Sequence, residues 1–78
     1  MKLEIITPDK KLFEGDVKSA VFPGSEGSFG VLDNHAPMIA TLKAGKVELT
    51  NENNTKQEFA VKGGVVEVLK NKVIVLAE

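Results

Sequence analysis

The chain has no cysteine, no tryptophan and no tyrosine, and a single histidine among its 78 residues. Without thiols it can hold neither a disulfide framework nor a thiolate zinc site. A domain this small, with no covalent staples, suits a reducing cytosol and must rely on a compact core. One histidine and scattered carboxylates make no metal cluster, and no GxxxxGK[ST] run follows a strand, so no cofactor or nucleotide is implied. Lys and Arg number 10 against 11 Asp and Glu, for a net charge of -1. No basic run with interleaved aromatics is present, so a phosphate backbone would find no electrostatic footprint and nucleic acid is not expected as a partner. No apolar run approaches the roughly 18 to 20 residues needed to span a bilayer. The amino terminus goes directly into an alternating pattern instead of the basic region and apolar stretch of an export signal. Nor does any stretch repeat apolar residues at helical spacing over the roughly 11 residues that a helix would need.

What remains is a succession of short β signals. Leu3 and Ile5 alternate with Lys2 and Glu4 until Thr7-Pro8-Asp9-Lys10 stops the run, because proline cannot donate to a ladder and aspartate suits the turn. Leu12 and Phe13 lead to Glu14-Gly15-Asp16, where a bulge or bend is expected, and alternation resumes from Val17 to Phe22. Met38 to Leu42 forms a short apolar strand that ends at Lys43-Ala44-Gly45-Lys46. Asn51-Glu52-Asn53-Asn54 marks a hairpin between the strand of Val47 and Leu49 and that of Phe59 and Val61. Lys62-Gly63-Gly64 and Lys70-Asn71-Lys72 punctuate the last two strands, and Val73 to Ala77 is apolar at every position, a pattern expected of a strand with no wet face. The expected fold is all-β: one small antiparallel β-sandwich or flattened barrel of eight to ten short strands over residues 1–78.

One stretch exceeds what a connecting loop requires. Gly24-Ser25-Glu26-Gly27-Ser28-Phe29-Gly30-Val31-Leu32-Asp33-Asn34-His35-Ala36-Pro37 sets three glycines within seven residues and threads Phe29 and Val31 in alternation around the last of them. Taken alone, His35 and Asp33 invite an acid–base reading, but a catalytic pair needs a nucleophile, metal or oxyanion site around a cleft. A histidine that stabilises its own turn is the simpler account. Ser25 to Ser28 can be a plain polar loop, and Phe29, Val31, Met38 and Ile39 can be core. Lys43, Lys46, Glu48, Glu52, Lys56 and Glu58 read as a solvated face. Yet apolar residues on both sides of the strands exceed what one small core needs, and an exposed apolar patch commonly marks a partner surface.

The run GSEGSFGVLDNHAP resembles the signature of the epsilon subunit of the F-type ATP synthase, whose β-sandwich domain carries a pattern of the form GSEGxxGxxxxHAP. The opening LEIITPDKKLFEG and the closing KGGVVEVLKNKVIVLAE are similar to that family's amino-terminal strand and its Gly-Gly, Glu-Val and Val-Leu-Ala ending. The resemblance implies a non-catalytic subunit of the rotor's central stalk. It would bind the gamma subunit and the ring of c subunits, reach the alpha/beta head only indirectly, and couple proton transport to ATP synthesis. By the same resemblance Val31, His35, Ala36, Met38, Ala40 and Leu42 would meet gamma, and Ser25, Glu26, Gly27 and Ser28 would meet the c ring. The complex would sit at the cytoplasmic face of the bacterial inner membrane, with this chain held there peripherally. Most of the family continues into a carboxy-terminal helical pair, which is absent from these 78 residues. A ligand-binding sandwich for sugar or peptide is the alternative, though it would call for exposed aromatics; a small hydrolase ranks after it.

Overall fold

Strand β2, Lys11–Gly24, is the element on which the architecture turns. In the computed structural model, which describes all 78 residues, its first half pairs antiparallel with β1 (Lys2–Ile6), from Lys2 opposite Asp16 to Ile6 opposite Lys11. Its second half pairs with β3 (Gly27–Leu32) along one edge and with β5 (Gly45–Asn51) along the other. The register with β5 slips between Val17 and Ser19. An extra residue in one strand bends it and increases its twist, which lets a single strand leave one layer and enter the next. The sequence suggests this irregularity at Glu14-Gly15-Asp16, but pairing with β1 continues through Gly15, over which the Phe13 ring folds, and the slip comes at Lys18.

Two layers therefore share β2. One runs β2, β1, β8 (Lys72–Ala77), β7 (Gly64–Leu69), β4 (Met38–Leu42); the other runs β3, β2, β5, β6 (Lys56–Val61). The β1–β8 pair is parallel and the rest are antiparallel. Eight strands result, and no helix. A contact between Gly24 and Leu42 joins β2 to β4 and partly closes the ring.

The turns follow local chemistry. Lys70 and Asn71 both take left-handed φ, 52° and 60°, as a two-residue hairpin loop of the primed type requires. At the Asn51–Asn54 turn the Asn54 amide donates to the Asn51 carbonyl at 2.9 Å, and the Asn53 side chain accepts from the Thr55 amide at 3.1 Å. Between the layers lie Leu3 and Ile5 from β1, Ala20 and Phe22 from β2, Val47 and Leu49 from β5, Val66 and Val68 from β7, and Val73 and Val75 from β8. Each is fully or almost fully removed from water, at roughly 1.5 to 3 kcal/mol of transfer free energy for the larger side chains. The last strand departs from its expected double coverage: Val73, Val75 and Ala77 point inward, but Leu76 is 56% exposed. In this chain nothing covers the outward side of β8.

Candidate protein interface

The glycine-rich stretch divides into a hairpin tip and a descending loop. Ser25 and Glu26 cross from β2 to β3, with Gly24 opposite Gly27. Ser25 donates its amide to the Thr41 carbonyl and accepts from the Thr41 hydroxyl, both at 2.9 Å, and the Lys43 amide donates to the Pro23 carbonyl at 2.9 Å. These bonds fasten the tip to β4. Ser25, Glu26, Gly27 and Ser28 are all exposed there and share one end of the sandwich, beside a cleft of about 560 Å³ bounded by Ile39–Thr41. Phe29 packs behind them on Phe22, ring centroids 5.5 Å apart.

Further along, the loop is held from three sides. The Asp33 carboxylate lies 2.6 Å from the Met1 ammonium, which also donates to the Val17 carbonyl at 2.9 Å. The Asn34 amide donates to the side chain of Asn71 at 2.7 Å. The His35 amide donates to Leu32, and its ring Nδ1 donates to the neighbouring Ala36 carbonyl at 2.8 Å. His35 thus braces its own turn, and Asp33 is engaged with the amino terminus instead of with the imidazole.

The structure separates the residues expected to grip a partner. Val31 is fully buried, and Leu42 nearly so. Met38 and Ala40 are half-buried and pack on the core, His35 is half-buried, and Ala36 is exposed. The cause is strand periodicity: pairing with β7 turns Met38, Ala40 and Leu42 inward, which leaves Ile39 and Thr41 outward. Side chains of Val31 and Leu42 have no surface to offer a partner in this fold.

A different apolar surface takes their place. On the outer side of the β4–β7–β8–β1 layer, Thr41, Val65, Leu76 and Ile6 form one cross-strand row, and Ile39, Glu67, Ile74 and Glu4 the next. Ile39 is 71% exposed and Leu76 56%, with Leu69 and Val65 also open. Toward β1 and β2 this face becomes charged: Lys11 reaches Glu14 at 2.7 Å and Glu4 at 3.3 Å, Lys72 reaches Glu4 at 3.6 Å, and Lys2 reaches Glu14 at 3.7 Å. The hydrogen bonds that Lys11 donates to Glu14 and then to Glu4 raise its pKa above the ordinary value, and the bond from Lys11 lowers that of Glu14. An apolar centre beside a polar rim is the anatomy of a docking surface. The opposite layer is more polar: its outer side exposes Leu32 and Val21, but these stand among Ser19, Thr50, Glu48 and a Lys46–Glu58 pair at 3.5 Å instead of forming a continuous cluster. Sequence alone did not reveal this surface, because β4 and β8 are apolar on both sides and only pairing distinguishes inside from outside.

Residues 1–78 match the family model described as ATP synthase, Delta/Epsilon chain, beta-sandwich domain. The ATP synthase epsilon chain of Chlorobium limicola is 44% identical over 77 residues, covering 99% of this chain and 88% of that protein. That of Campylobacter curvus is 44% identical over 78 residues but is covered only to 60%, so the chain spans about three-fifths of the longer relatives. Among solved structures, a chain in the Euglena gracilis mitochondrial ATP synthase superposes with a TM-score of 0.90 over 96% of this chain and 48% of its own length, at 23% identity. At that identity the likeness establishes the fold.

Proposed function

Because the chain belongs to the β-sandwich family of the ATP synthase delta and epsilon chains, we propose that it works by binding, as part of the central stalk that couples proton transport to ATP synthesis. The outer face of β4, β7 and β8 holds the gamma subunit, and the tip formed by Ser25, Glu26, Gly27 and Ser28 rests on the c ring. Torque from the ring passes through this rigid sandwich to gamma, and through gamma to the alpha/beta head. The complex sits at the cytoplasmic face of a bacterial inner membrane, and this chain reaches the membrane only through it. The relatives it matches are named ATP synthase epsilon chain, and on this reading the chain is a non-catalytic component of the stalk.

The observation that carries the reading is the contiguous exposure of Ile39, Val65, Leu69 and Leu76 on one face, whereas the exposed Val21 and Leu32 of the other face are set among polar residues. Isolated exposed apolar residues need no explanation, but a rimmed cluster of them does. The tip supplies orientation more than affinity, as exposed polar and charged groups do at a rim. His35 and Ala36 act as a brace between the two contact regions.

Copurification of the chain with purified gamma subunit tests this. Ile39→Asp and Leu76→Asp should each abolish association at micromolar concentration while the chain remains folded, since a buried charge at the centre of an interface costs about 2 kcal/mol or more. Val21→Asp, on the opposite outer face, should bind normally. A folded wild-type chain that ignores gamma would refute the reading and favour a ligand-binding sandwich, with the cleft at the tip as its site.

A further inference from the structure

Glu67 is at odds with the surface around it. Along β7 its outward neighbours are Val65 and Leu69; across the strands they are Ile39 on one side and Ile74 on the other. Glu4 and Glu14, farther out on the same face, are tied to lysines, whereas Glu67 enters none of the chain's ion pairs or side-chain hydrogen bonds. In the free chain water solvates this carboxylate. Once a partner covers the patch, an unpaired charge at its centre loses that hydration with nothing in return. Lys70 and Lys72 line the hollow on the Ile74 side of Glu67, but neither pairs with it and Lys72 is held by Glu4, so a docking surface with this residue in its middle is completed by a positive charge from the other side.

Two hollows flank the carboxylate. The one between Leu69 and Ile74, about 250 Å³, also has Lys70 and Lys72 in its lining, which would repel a cation. The other, about 380 Å³, lies between Pro37–Ile39 and Leu69, carries no lysine, and is mostly apolar apart from Glu67 itself. A long aliphatic stem with a flat cationic head suits such a groove: the stem lies on Ile39 and Leu69, and the head meets the carboxylate. Resting on the reading of this face as the gamma-binding surface, we infer that Glu67 selects the partner by pairing with an arginine that enters between Ile39 and Leu69. The apolar cluster supplies adhesion, and Glu67 supplies register, because a surface lacking the cation at that point is rejected.

The test is the dissociation constant of the full chain for purified gamma subunit, measured at low and moderate salt for the wild type, Glu67→Gln and Glu67→Leu. Both substitutions sit on an exposed site and should leave the melting temperature unchanged. Each is expected to weaken binding by about 10- to 100-fold and to flatten its salt dependence. Leucine does so although it enlarges the apolar area. If Glu67→Leu binds as tightly as the wild type or more tightly, or if Glu67→Gln is unaffected, the inference is overturned, and the carboxylate serves only to keep an apolar face soluble. Absence of binding by the wild type itself would overturn the docking reading and the inference with it, an outcome distinct from failure of the variants alone.

Discussion

Gly64 is the position where one added carbon should cost the most. Its φ is +144°, a conformation side chains rarely adopt, and a Cβ built there would lie 2.2 Å from the Leu76 carbonyl oxygen and 3.0 Å from the Ala77 Cα. Backbone strain at such a site costs about 1 to 3 kcal/mol. The clash adds to it, because β7 and β8 must separate by roughly 1 Å at the Gly64–Ala77 pair, loosening the ladder and the Val66–Val75 packing beside it. Gly64→Ala should therefore lose about 4 kcal/mol, a large share of the roughly 4 to 12 kcal/mol a chain of this size has. Gly27 provides the internal control: its φ is +129°, but no atom lies within 4 Å of the Cβ position. Gly27→Ala should show the strain alone, about 1 to 2 kcal/mol. In urea, with a slope near 1 kcal/mol per molar for a small domain, the midpoints of the two variants should differ by roughly 2 M. Equal losses would refute the steric argument and assign the whole effect at Gly64 to backbone conformation.

Two further expectations rest on charged groups. Asp33→Ala leaves the buried Met1 ammonium with only the Val17 carbonyl; since Asp33 is itself half exposed and screened by water, the loss should be about 1 kcal/mol by thermal melting, and an unchanged melting temperature would mean the pair contributes nothing. Glu14 has a lowered pKa because of Lys11, so its contribution is fully present above the ordinary glutamate range and disappears as pH falls through the lowered value in the folded state. Stability of Glu14→Gln measured against pH should therefore be flatter on the acid side than that of the wild type, and added salt should narrow the difference because both groups lie in water. Parallel acid limbs for the two proteins would show that the Lys11 bond does not affect folding.

Much of the architecture was legible because it depends on local chemistry. Pro8 and Asp9 end β1, the asparagines at 51, 53 and 54 form the β5–β6 turn, and Lys70-Asn71 turns β7 into β8. Each of these signals acts within four or five residues, so sequence order alone exposes it. The glycine-rich run was equally visible as a feature, and its polar tip from Ser25 to Ser28 is exposed at one end of the sandwich.

Which side of a strand faces the core was decided elsewhere. In β1 and β5 polar residues mark the outer side, and the sequence alone determines the orientation. In Met38–Leu42 and Val73–Ala77 both sides are apolar, so an alternation of period two carries no sign, and a shift of one residue would exchange Ile39 with Ala40 or Leu76 with Val75. Long-range pairing removes that ambiguity: β7 sets the register of β4 and β8, and β1 joins β8 to β2, whose slip at Lys18 carries it into the second layer. For that reason the sequence by itself determined the fold class, the turns and the family, whereas only the tertiary structure buried Val31 and Leu42 and set Ile39, Leu76 and Glu67 together on an open face.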